Sequence, residues 1–314
     1  MDKYVGIHTQ ISRNNRLSIL YLLAFPALIL ATVYAFLYFV YMGEDGVPLY
    51  EVNQTFTQAI PYVIIVVLIW FLIAYWSNTS MIKAATGSKT LSRKENMRVY
   101  NLVENLCMTE GMRMPKINVI EDSGLNAFAS GINENTYTVT LTRGIIDQLN
   151  NEELEGVIAH ELMHIKNRDV RLLIITIIFV GIFSFLMQMA FRNILYSGGR
   201  RKNNKDSGKA MLIALVITAI AYFLSLIFKF GLSRKREYMA DSGAADMTKN
   251  PRALASALRK IKGNSQVKSV KSSDVKELFI DNVPDESAGF MGGISGLFST
   301  HPPIDKRIAL LEQF

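Results

Sequence analysis

Two histidines four residues apart flank a glutamate in the run His160-Glu161-Leu162-Met163-His164. On a helix this spacing puts both imidazoles on one face, where they can chelate a single ion. Glu161 falls one step round from that face. It is poorly placed as a ligand but can reach a water beside the metal. The chemistry this permits is hydrolysis: zinc brings the pKa of water down toward ~7, and a carboxylate takes the proton as hydroxide attacks a carbonyl. Glu237 and Asp241, also four apart, follow in the run from Ser233 to Asp241. Glu237 suits the third position of a two-histidine, one-glutamate site. Asp241 is placed to accept the remaining ring N–H of a bound histidine. The same two acids could instead form an i,i+4 charge network with Arg234 and Arg236. Cys107 is the only cysteine, so the chain has no Cys-rich metal site and no intramolecular disulfide.

These residues need elements to hold them. Asn150 to His164 reads as a helix, with Asn150 as N-cap, Glu153 three residues later and acids filling the first turn. Residues 115–121 and 136–141 read as short strands. Between them lies Asn126-Ala127-Phe128-Ala129-Ser130-Gly131. This is either an edge on which Asn126 bonds the backbone of an extended peptide or an ordinary hairpin turn. Helices are predicted over 95–109, from Asn250-Pro251 to Gly263, and over 304–313. His301 precedes Pro302-Pro303. It either lies near the metal, stabilising an oxyanion or filling the open position, or packs as a helix-entry residue. Residues 264–300 form a mobile apolar flap or a plain connection.

Half of the 314 residues are hydrophobic, and they gather in four apolar runs: 17–41, 59–76, 172–191 and 210–228. Each reaches the roughly 20 residues that cross a hydrocarbon core. The second run opens with Pro61 near a predicted helix start. Lys3, Arg13 and Arg16 precede the first run, the loop after it carries Glu44, Asp45 and Glu51, and Lys83, Lys89, Arg93 and Lys94 follow the second. The positive-inside rule then puts the N-terminus and the histidine helix in the cytoplasm. The loop of the second hairpin is basic (Arg192, Arg200, Arg201, Lys202, Lys205, Lys209), so that hairpin either spans or only dips; both return the chain to its starting side. Retained cytoplasmic bases account for the net charge of +7, and no nucleic-acid motif accompanies it. The runs hold no interior charge of the kind an ion pathway needs, which speaks against a transporter.

Taken together, the residues resemble the HtpX family of membrane metalloproteases, which are related to CAAX prenyl endopeptidases and belong to the glutamate-third-ligand zincins. The resemblance covers essentially the whole chain. It rests on the four runs, on His160 to His164 extended by Asn167-Arg168-Asp169, on Asn126-Ala127-Phe128-Ala129, on Ser233-Arg234 with Glu237 to Asp241, and on Ser299-Thr300-His301-Pro302-Pro303. It implies a predominantly α-helical integral membrane protein, with four transmembrane or membrane-dipping helices plus a cytoplasmic zincin domain containing a small β-sheet. The expected division is a hairpin at 1–79, catalytic segments at 80–170 and 231–314, and a second hairpin at 171–230. It further implies zinc endopeptidase activity, with His160, His164 and Glu237 as ligands and Glu161 as catalytic base; one Zn2+ per chain is expected, with Asp241 and His301 as auxiliary residues read from their positions. The implied role is quality control of membrane proteins in the plasma membrane. Two rivals remain on sequence alone: cleavage of prenylated C-termini, and a non-catalytic scaffold with a structural zinc, against which Glu161 argues.

Overall fold

The computed structural model describes residues 7–42, 46–197, 205–230, 234–281 and 302–314. His301 and most of the predicted flap lie outside them, as do Ser299, Thr300 and the centre of the second hairpin's loop. In chain order the elements are α1 (Ile7–Val40), α2 (Leu49–Thr86), β1 (Lys89–Thr90), α3 (Met97–Thr109), β2 (Lys116–Ile120), β3 (Ala127–Ser130) and β4 (Thr138–Thr142). There follow α4 (Arg143–Gln148), α5 (Asn151–Lys166), α6 (Asp169–Ser197), α7 (Lys205–Phe230), α8 (Arg234–Thr248), α9 (Pro251–Ile261), α10 (Ser273–Lys276) and α11 (Ile304–Leu311). The chain divides into two compact units. One gathers Met1–Asn15, Ser77–Ile174 and Leu232–Phe314; the other holds Arg16–Trp76 and Ile175–Gly231.

The second unit is built from the apolar lengths of α1, α2, α6 and α7. All four are long and apolar enough to cross a bilayer. Of the α6 window, 56% is buried, against 17%, 6% and 17% in α1, α2 and α7, which makes α6 the central helix. Its Phe179 stacks on Phe25 of α1 at 4.8 Å and on Phe71 of α2 at 5.6 Å. Leu23, Val66, Ile73, Val216 and Phe223 stay exposed, a surface that needs lipid rather than water around it. Pro61 does not open its helix as predicted. α2 begins twelve residues earlier, at Leu49, and Pro61 sits inside it. The polar stretch before the apolar run is itself helical, which a hydropathy pattern does not reveal.

The first unit surrounds a four-stranded sheet in the order β1-β2-β4-β3. The Val, Ile and Thr of Lys116–Ile120 and Thr138–Thr142 favour extended backbone. These two strands pair in parallel, from Lys116 opposite Thr138 to Ile120 opposite Thr142. A hairpin between them is therefore excluded. The segment 127–130 is a strand in its own right, antiparallel to β4 on the sheet's outer side. Two of its four residues are alanine, a weak strand signal, yet all four are buried. Gly131 turns the chain at φ 104°, where a Cβ would lie 2.4 Å from the Thr136 carbonyl oxygen. α5 is the hub of this unit, packed by α8, α9 and β3, while α11 packs on α8 and α9.

Candidate metal centre

α5 starts where its sequence says it should. The Asn150 side chain accepts the Glu153 N–H at 2.9 Å, and Glu153 accepts the Asn150 N–H at 3.0 Å, a closed capping box. Glu153 is also bound by Ser256 and Lys260 of α9, each at 2.7 Å. The helix is thus anchored at its N-terminal end, two turns ahead of its functional residues.

His160 and His164 follow on one face. Their Nε2 atoms are 3.1 Å apart, and each lies 3.5 Å from a carboxylate oxygen of Glu237 on α8. The three candidate donor atoms all fall within 4.8 Å of one another. The outward nitrogens are also occupied: His160 Nδ1 is 3.0 Å from Asp241 Oδ1, and His164 Nδ1 is 3.1 Å from Asp169 Oδ2. A carboxylate at each Nδ1 fixes the tautomer and leaves Nε2 as the lone-pair donor. Two imidazole nitrogens and one carboxylate, converging with their ring partners set, fit a zinc ion.

Asp241 is itself held. Arg307 of α11, 1% exposed, donates from Nε to Oδ2 at 2.8 Å and from Nη2 to Oδ1 at 2.7 Å. It also lies 3.4 Å from Glu237. Burial alone would raise the Asp241 carboxyl, but the guanidinium and His160 outweigh it and hold it down at about 2. Burial and Arg307 push His160 down, while Asp241 and Glu237 push it up and prevail, to about 9. Glu161, buried beside the histidines, is raised, first by burial and further by Glu237, against the pull of the histidines and Arg307. A carboxylate of raised basicity is what a proton acceptor needs.

A cleft reaches this centre, lined by Glu161, His164, Glu237, Arg236 and Ala129, with Leu278 and Ile280 beyond. The structure gives Asn126 a task other than holding substrate. It is 1% exposed, and its amide donates to the carbonyls of Ser265 at 2.7 Å and Asp281 at 2.8 Å. Both N–H groups are consumed in clipping the segment after α9 onto the sheet. Arg236 does not neutralise the two acids as a local charge network would require, and the Arg234 side chain lies outside the described residues. Arg236 points to the Asp169 carbonyl at 3.4 Å, and Arg307 takes its place. Sequence reasoning missed Arg307 and the part played by Asp169. The signal for Arg307 was present: it shares the buried face of α11 with Ile308 and Leu311, an arginine on an apolar stripe.

Two metal-competent histidines, a glutamate from a second helix and four apolar helices define a membrane metallopeptidase. Comparison with known proteins agrees. The model of peptidase family M48 matches residues 93–314. A protease HtpX homolog of Bacteroides fragilis is 57% identical over 321 aligned residues, covering 99% of this chain and 100% of the relative. HtpX homologs of Dictyoglomus thermophilum (42% identical, 76% of each chain) and Lactobacillus helveticus (37% identical, 78% of this chain and 83% of the relative) also align. The chain belongs to peptidase family M48, among the HtpX proteases. It is a membrane-associated metalloendopeptidase acting on protein substrates, and its family implies a metal ion.

Proposed function

We propose that this chain is a zinc endopeptidase whose ion is held by His160, His164 and Glu237, one per chain, with Glu161 as general base. The observation that supports this best is the convergence of both Nε2 atoms and the Glu237 carboxylate beside a buried glutamate. Zinc, when bound, supplies Lewis acidity, acidifying water and polarising the scissile carbonyl. Glu161 accepts the proton of the attacking water and returns it to the leaving nitrogen. Asp241 and Asp169 hold the two rings in the required tautomer, and Arg307 keeps Asp241 ionised.

Substrate lies extended along β3 in this reading. Ala127 accepts the Ile280 N–H at 2.9 Å on the side away from β4. Strand alternation then turns the N–H and C=O of Ala129 the same way, toward the cleft. A peptide adding to that edge would carry its scissile bond past Glu161.

The charges flanking the first hairpin support a centre on the cytoplasmic side of the plasma membrane. Membrane proteins that are misfolded or damaged are the proposed substrates, in a stress-response and quality-control role. The apolar wall of the cleft, Leu278 and Ile280, suits hydrophobic segments that a folded protein conceals.

The test is cleavage of an unfolded model protein by the detergent-purified chain supplied with zinc. Glu161→Gln is expected to cut cleavage by about 10²- to 10⁴-fold, the contribution of a proton-transfer group, while still binding one zinc. Cleavage surviving this change would remove Glu161 from the mechanism. Cleavage restricted to farnesylated peptides would move the substrate class to prenylated C-termini.

A further inference from the structure

We propose that Asn14, near the start of α1, is a positioning residue of the metal centre, acting on His164 through Asp169. The proposal rests on the assignment of His164 as a metal ligand. Asn14 is 1% exposed and Asp169 3%. The Asp169 carboxylate is shared between them: Oδ1 accepts from Asn14 Nδ2, and Oδ2 faces His164 Nδ1 at 3.1 Å. The second N–H of the same amide donates to the Asn167 carbonyl at 2.8 Å. One side chain therefore fixes both the carboxylate that orients His164 and the backbone that carries it.

The backbone there needs holding. α5 ends at Lys166 and α6 starts at Asp169. Between them Arg168 has φ 60°, a left-handed conformation that a residue with a Cβ disfavours. Two consecutive residues of α1 grip this turn, Asn14 at Asn167 and Asn15, whose Oδ1 accepts from Arg168 Nη1 at 3.1 Å. Without them the turn could relax toward continuous helix. That would rotate Asp169 away from His164, because side chains around a helix are set about 100° apart per residue. Asn14 also heads a buried stripe on α1 with Ser18, Tyr21, Phe25 and Ile29. A hydrophobic anchor alone would carry an apolar residue at that position; an amide appears where the stripe meets Asp169. The first apolar helix thus supplies part of the support of the metal centre as well as an anchor.

The test uses the full chain in detergent, stripped of metal. Zinc affinity is read by competition with a chromophoric chelator, and the surroundings of His164 by the absorption spectrum of the cobalt(II) form. Asn14→Leu is expected to lose about tenfold in zinc affinity, at the lower end of what outer partners of a ligand contribute, and to shift the cobalt bands. Asp169→Asn should do the same, and the double variant should be no weaker than Asp169→Asn alone, because both act through one contact. Asn14→Ser, which keeps one donor, should recover part of the affinity, and it takes the place of the leucine variant if that fails to fold. Ser18→Ala, one turn further along the buried stripe, should bind zinc as wild type does. Wild-type affinity and an unchanged cobalt spectrum in Asn14→Leu, or in Asn14→Ser where the leucine variant does not fold, would overturn the proposal, whatever the melting temperature, and leave Asn14 a tether of α1. An equal loss in Ser18→Ala would overturn it too, since any softening of α1 would then suffice. A wild-type chain that binds no zinc fails at the earlier step, the metal assignment itself.

Discussion

Glu153 shows how one side chain can serve two structures. It closes the cap of α5 and binds Lys260 and Ser256 of α9. Burial would raise its pKa, but Lys260, the Asn150 N–H and Ser256 together lower it. A folded-state pKa below the unfolded value of about 4.3 contributes stability that is fully present above that value and is lost as pH falls through the folded pKa. Glu153→Gln is therefore expected to melt below wild type at neutral pH, by no more than about 1 kcal/mol because Lys260 is half exposed. The gap should close below about pH 4, and thermal melts across pH 3–7 check this. The same contrast separates what could be read from the sequence at this scale from what could not. The cap, the paired histidines, Glu161, Glu237 and Asp241 lie at spacings of one, three and four residues, which helix geometry converts directly into neighbours. Arg307 reaches Asp241 from 66 residues away, and Asn14 reaches Asp169 from 155. No local period encodes such pairs, and only the fold brings them together.

Among the elements, α5 and α9 approach each other closely at Gly156. A Cβ built on Gly156 would sit 3.1 Å from the Leu254 Cα and backbone nitrogen. Gly156→Ala trades about 1 kcal/mol of helix propensity against that contact and should be near neutral. Gly156→Leu must push α9 away and is expected to cost about 1–3 kcal/mol, visible as a lower melting temperature of the purified chain. Three helices of this unit open on asparagine caps, Asn96, Asn150 and Asn250, each accepting an N–H in the first turn, and the last two openings were legible in the sequence. β3 was not. Its Ala-Phe-Ala-Ser carries little strand preference of its own and is extended because β4 offers it a partner and a buried face.

For the molecule as a whole, a ligand that binds only the folded state stabilises it by mass action. Zinc held at a hundred times its dissociation constant should add about 2.7 kcal/mol to the unit that holds the sheet and α5. Adding a chelator should lower that unit's melting transition and leave Glu237→Gln unmoved. Calorimetry in nanodiscs, with and without chelator, reads both. The four apolar runs were plain in the sequence because lipid demands length and apolarity and little else. The capture of Asn14 and Asn15 by the unit that holds α5 was not, since residues ahead of a membrane run show no pattern that separates an anchor's lead-in from a working part.

The order of the proposed ligands along the chain has a further consequence, for biosynthesis. His160 and His164 leave the ribosome first, Glu237 only after the whole of α6 and α7, and Arg307 after Glu237. Translation adds about 5–20 residues per second, so for several seconds the nascent chain carries its histidine helix without a third ligand or the cation that steadies Asp241. A protease with the proposed preference for unfolded protein is most dangerous to itself while it is still unfolded. On the proposed ligand set, competence is postponed by the topology: the third ligand is handed over only after the second hairpin has been made.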